Sequence, residues 1–169
     1  MTGISISDRE TVARQLGREP RALARVAARC RFGQPAVVSQ RPYDGDGTPF
    51  PTTLWLTCRA EVDAVSRLES AGGVAELQGE LERRPALRRS RAAADRRVQA
   101  LRRSLLEAGP SLDGARSLEL GLAGERPGAP IKCLHAHVAV ALACPPYAFG
   151  ELARARAGIG ERRECCAWT

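Results

Sequence analysis

Apolar residues fall along this chain either in short valine- and leucine-containing runs or at helical spacing, and the difference tells strands from helices. ALARVAARC (residues 22–30) and PAVVSQ (residues 35–40) are short, valine-containing runs separated by RFGQ, which predicts two strands joined by a turn. LWLTC (residues 54–58) predicts a third strand after RPYDGDGTPFPTT, a segment so dense in Pro, Gly and Asp that it reads as a loop. Helical spacing dominates elsewhere. Ser7 followed by Glu10 forms a capping box for a helix over residues 8–16, which Gly17 and Pro20 stop. Val62, Val65 and Leu68 share a helix face that ends at Gly72 and Gly73. Residues 74–108 continue as helix with a break at Pro85, and Leu87, Ala94, Val98, Leu101 and Leu105 make one stripe on the second piece. A last apolar helix covers residues 131–143 and ends at Pro145 and Pro146, with a short helix in ELARARAG beyond it.

This order predicts an α+β fold, a small antiparallel sheet of two or three strands with helices packed on one side. A chain of 169 residues supports one core, so residues 7–157 read as a single domain and residues 158–169 as a tail. The Gly- and Pro-rich segment 109–130 reads as a mobile loop. No stretch is apolar for long enough to span a bilayer. The N-terminus lacks a basic patch followed by an apolar run, which predicts a cytoplasmic protein with reduced thiols.

Charge changes the picture in one place. The formal net charge is +7, and between Glu82 and Arg103 nine arginines face two acids, so the imbalance is local. Arg89, Arg96 and Arg103 lie seven apart, opposite the apolar stripe, and form a row suited to an acidic protein or a phosphate-bearing partner. The same row on a solvated helix face requires no partner at all. With only two Trp, two Tyr and three Phe, none of them in this segment, base stacking and sequence-specific nucleic-acid binding are not expected.

The candidate chemistry lies in KCLHAH, residues 132–137, which holds both histidines, one of six cysteines and the only lysine. If the helix begins near Ile131, Cys133 and His137 share a face; if Cys133 sits in the preceding turn, it converges with His135. Either pair supplies two of the four ligands of a structural zinc, and Cys30 and Cys58, each at a strand end, are the candidates for the rest. The alternative makes Cys133 a nucleophile, activated by the helix N-terminus and Lys132, with His135 or His137 as base. The DGDG turn lacks the further ligands of a calcium loop.

RCRFGQPAVV (residues 29–38), DGTPFPTTLWLTC (46–58), SRLESAGGV (66–74) and KCLHAHVAVALA (132–143) together resemble the bacterial family catalogued as domain of unknown function 501, over most of residues 7–150. The family brings no established activity. Its motifs contain Cys30, Cys58, Cys133 and His135, and the position of Cys58 is also filled by histidine in the family, so the resemblance implies a zinc site on these four residues. The chain departs from the family pattern at Arg31, Val140 and Tyr147-Ala148, and Cys144, Cys165 and Cys166 lie outside the motifs. The expectation is a zinc-binding interaction module with Arg89, Arg96 and Arg103 as its contact face. A hydrolase acting on a phosphorylated or acyl substrate, through zinc-activated water or Cys133, is the alternative.

Overall fold

The computed structural model describes residues 4–160. Its described residues form six α-helices and one three-stranded antiparallel sheet of order β1-β2-β3. Helix α1 (Ile6–Leu16) leads into β1 (Leu23–Arg29), β2 (Pro35–Gln40) and β3 (Leu54–Leu56). Helices α2 (Arg59–Ser70), α3 (Gly73–Arg83), α4 (Pro85–Ser104), α5 (Leu134–Ala143) and α6 (Ala148–Arg156) follow. None of these helices is long and apolar enough to cross a membrane.

Two local expectations are corrected. Helix α1 is capped by Ser5, whose hydroxyl accepts from the Asp8 amide at 3.1 Å, and not by a Ser7–Glu10 box. Ser5-x-x-Asp8 carries the same capping logic one half-turn earlier, and the earlier start packs Ile4 against Val12, Leu23 and Val38. Its other end is as expected, with Gly17 in the left-handed region at φ 68°. The last helix starts at Leu134 and not at Ile131, which leaves Cys133 extended at the N-cap position.

The sheet is buried at every position of β2 because both faces are covered. Val37 and Val38 point to opposite sides, as successive strand residues must. Val37 joins Leu54, Leu56, Leu77, Val98 and Phe149 in the main core, while α1 covers Val38 on the far face. Helix α5 runs through the middle of the main core, with its residues from Ala136 through Ala141 all buried. It contacts all three strands as well as α2 and α6.

Segment 109–130 carries short 3-10 helices at Arg116–Glu119 and Leu122–Gly124 and is tied to the body at several points. The Tyr43 hydroxyl donates to Asp113 at 2.8 Å and accepts from Ser117 at 3.0 Å. Asp95 accepts from the Leu122 amide at 2.9 Å, and Leu122 itself is buried in the core. The DGDG segment is a turn, in which the Asp44 carboxylate accepts from the amides of Asp46 and Thr48.

Candidate functional site

Helix α2 presents Val62, Ser66 and Glu69 on one face toward the start of α5. The imidazole of His135 fills the space between them. On one side its Nδ1 lies 3.5 Å from Cys133 Sγ and 3.2 Å from Glu69 Oε1. On the other its Nε2 lies 3.2 Å from both the Ser66 hydroxyl and the Val62 carbonyl. A carbonyl only accepts, so it fixes the proton on Nε2 and leaves Nδ1 facing the thiol and the carboxylate. Glu69 also accepts from the Leu134 amide, so a distant carboxylate caps the helix that Cys133 does not cap with its own side chain.

The ring is partly shielded, with 23 % of the side chain exposed. Its pKa rises from the ordinary 6.5 to about 9, first through the hydrogen bond with Cys133, then through the charges of Cys133 and Glu69 and the Val62 carbonyl, against an opposing cost of burial. The spot between sulfur and carboxylate thus favours a cation. Among the described residues, Glu69, Cys133 and His135 are the group of three side chains able to hold a metal ion, with donor atoms all within 4.8 Å of one another.

Cys133 and His135 open on a cavity of about 300 Å³ lined by Thr52, Leu54, Trp55, Leu56, Val62, Ala123 and Ala136. The 49–53 loop, which contributes Thr52 to the lining, is held by Arg102. This guanidinium is fully buried and donates to the carbonyls of Phe50 (2.5 Å), Pro51 (3.0 Å) and Pro42 (3.5 Å) and to the Thr53 hydroxyl (3.2 Å). Burial lowers its pKa below the ordinary guanidinium value. Gly124 at φ 72° sits so close to Pro51 that a Cβ there would lie 2.7 Å from the proline ring. Beside it Ala123, also a wall residue, is held at φ 58°.

Of the expected four ligands, Cys133 and His135 are brought together, while Cys30 and Cys58 lie near each other at a different place. Cys58 is buried with Ala36 and Ala60, Cys30 packs against that group, and both line a separate cavity of about 390 Å³. The cause is the length of α2: Cys58 precedes its first turn and Glu69 ends its last, so at 1.5 Å per residue the two are separated by about 16 Å along the axis. Lys132 also stands apart, with its side chain 77 % exposed and its ammonium 3.2 Å from Glu125. His137 is fully buried in the core, where its Nδ1 is hydrogen-bonded to the Tyr147 hydroxyl at 2.6 Å and its ring meets Phe149 edge-on. Cys144 is half-buried, and burial pushes its thiol pKa up; Cys165 and Cys166 lie outside the described residues.

Arg89, Arg96 and Arg103 are exposed on α4, and Arg103 pairs with Glu119 at 2.7 Å. Their neighbours in the same basic run are structural. Arg91, Arg97 and Arg102 donate to carbonyls of Ala129, Pro146 and the 49–53 loop, and Arg88 to the end of α3. Glu69, Ser66 and Arg102 are the functional residues that local spacing missed. Ser66 and Glu69 both stand in SRLESAGGV, one of the four motifs that carry the family resemblance, and that motif was the available signal.

A family model described as "Protein of unknown function (DUF501)" matches residues 26–155, most of the chain. No curated protein and no solved structure matches it.

Proposed function

The chain belongs to the DUF501 family of proteins of unknown function, and we propose that it is a metal-binding protein whose Glu69, Cys133 and His135 hold one zinc ion. The ligand set keeps Cys133 and His135 and takes Glu69 in place of Cys30 and Cys58. The observation that carries this reading is the spacing of the donor atoms. A tetrahedral zinc with ordinary bond lengths separates sulfur from nitrogen by about 3.5 Å and nitrogen from carboxylate oxygen by about 3.3 Å. The corresponding separations here are 3.5 Å and 3.2 Å. Nδ1 would be the ligand, with Nε2–H held by the Val62 carbonyl and Ser66 hydroxyl, the outer contact that orients a metal-bound imidazole. Mixed sulfur, nitrogen and oxygen donors suit zinc better than magnesium or calcium.

Three protein ligands leave a fourth position open, which is the arrangement of a reactive zinc site. Bound there, zinc would polarise an oxygen donor or lower the pKa of water. The exposed row of Arg89, Arg96 and Arg103 supports a second role, contact with an acidic partner in the cytosol through long-range attraction. Metal analysis tests the first role: purified protein should carry one zinc per chain, and Cys133→Ser and His135→Ala should each lose it while remaining folded. Metal-free wild-type protein, loaded with zinc and still empty after dialysis, ends the reading.

A second reading has its own support. With no metal, a proton can pass from Cys133 Sγ to His135 Nδ1 across 3.5 Å, which makes the pair a thiolate–imidazolium nucleophile. Selective fast alkylation of Cys133 in zinc-free protein, together with absence of bound metal from the cell, favours it over the zinc site.

A further inference from the structure

The cavity in front of Cys133 and His135 differs from the rest of the surface in charge. Arginine supplies all but one of the 26 basic residues, yet no arginine or lysine lines this cavity. Arg18 lies with its guanidinium over the Trp55 ring at 5.6 Å, and Lys132, next to Cys133 in the chain, pairs with Glu125; neither is part of the wall. Apart from Cys133 and His135, its lining is Thr52 and the apolar residues Leu54, Trp55, Leu56, Val62, Ala123 and Ala136. The metal would be neutralised as well, because one thiolate and one carboxylate balance a divalent cation. An anion added to that centre would leave a net negative charge against apolar walls, with no cation to offset its lost hydration.

Resting on the zinc reading above, we infer that the fourth coordination position binds an uncharged small molecule that carries a carbonyl or hydroxyl oxygen next to an apolar group. Phosphates and carboxylates are turned away. The oxygen completes the metal's coordination, and the apolar group takes the place of water against Leu54, Trp55 and Ala136. The walls are formed in advance: Arg102 fixes the carbonyls of Phe50 and Pro51, and Gly124 and Ala123 hold the opposing turn in left-handed conformations. A preformed pocket spends little of the binding energy on ordering itself. This chemistry separates the two substrate classes in the hydrolase alternative, since an acyl carbonyl fits the site and a phosphoryl group does not.

Cobalt(II) is the probe, because a cysteine ligand gives a thiolate-to-cobalt charge-transfer band and the weaker visible bands report the fourth ligand. The cobalt protein is titrated in turn with isobutyramide, 1-butanol, acetate and inorganic phosphate. The expected result is a saturable shift of the visible bands with isobutyramide or butanol, and none with acetate or phosphate at about tenfold higher concentration. Thr52→Trp, which enlarges a lining side chain into the cavity, should weaken isobutyramide at least about tenfold and leave the charge-transfer band intact. Ala136→Leu provides a second filling variant from the helix side. A shift with phosphate or acetate alone overturns the inference and leaves the metal site standing, as does a cobalt protein whose bands respond to none of the four. Absence of the charge-transfer band removes the zinc reading and this inference together.

Discussion

His135 and His137 stand two residues apart on one helix, and the protein uses them in opposite ways. His135 lies at the first turn of α5, between a thiol and a carboxylate, and its pKa rises to about 9. His137 points into the core against Tyr147 and Phe149, where burial first and the Arg91 charge second lower its pKa to about 3. The helix turns by about 200° between them, so one ring faces α2 and the other faces α6. Identical side chains thus acquire a preference for a positive ion in one case and a strict neutrality in the other. What differs is the surroundings, Cys133, Glu69 and the Val62 carbonyl at a partly exposed site on one side, and full burial among Tyr147, Phe149 and the Arg91 charge on the other.

The largest effect that would break this contrast is on stability. His137→Ala removes a fully buried ring and strands the Tyr147 hydroxyl, and should lower the unfolding free energy in urea by about 3 kcal/mol or more. His135→Ala, at a partly exposed site, should cost less than about 1 kcal/mol in the metal-free protein. Equal losses would mean that the two histidines are both packing residues. The same buried ring sets an acid limb. Because its folded pKa lies below the unfolded 6.5, His137 contributes stability that is complete above pH 6.5 and lost as pH falls toward about 3. His137→Gln should flatten that limb in pH-dependent urea melts.

Metal affinity comes next and runs the other way. Glu69→Gln should weaken zinc or cobalt at least about tenfold, and Cys133→Ser at least about a hundredfold, measured by competition with a chelating dye. His137→Gln should leave the affinity unchanged. A loss of metal in His137→Gln, with Cys133→Ser unaffected, would reverse the assignment of the two imidazoles.

Tyr147→Phe is a smaller and sharper change. It keeps the ring and removes the hydrogen bond to His137 Nδ1, which leaves a buried ring nitrogen unpaired at about 1–2 kcal/mol. The smallest effect is the alkaline limb of the metal-free protein. The folded pKa of His135 lies above its unfolded value, so its contribution is complete below pH 6.5 and fades as pH rises through about 9. With a quarter of the side chain exposed, solvent screening holds this to about 1 kcal/mol, and His135→Gln should abolish it.

Much of the fold was legible from local pattern. Short valine- and leucine-containing runs bounded by turn residues marked β1, β2 and β3, Pro85 separated α3 from α4, and the stripe of Leu87, Ala94 and Val98 is the buried face of α4. Arg91, Asp95 and Arg102 share that face, and the pattern could not reveal them. A buried guanidinium is allowed only where carbonyls await it, and those carbonyls belong to residues 42–53, about fifty positions earlier. In an arginine-rich chain such a residue looks like any other surface charge. Glu69 was hidden for a related reason, since it ends one helix and serves the start of another 65 residues later.

The sequence by itself determined which residues carry reactive chemistry and narrowed the partner of Cys133 to His135 or His137; the start of α5 at Leu134, with Cys133 extended before it, selects His135. Only the tertiary structure decided the third member of the cluster. Cys58 and Glu69 lie at opposite ends of the same helix, and the packing of α2 against α5 delivers the carboxyl end to His135 while the thiol end is buried against Ala36. A rigid helix transmits that choice over its whole length, so which of two distant ligands arrives is a property of how helices cross and not of how residues are spaced.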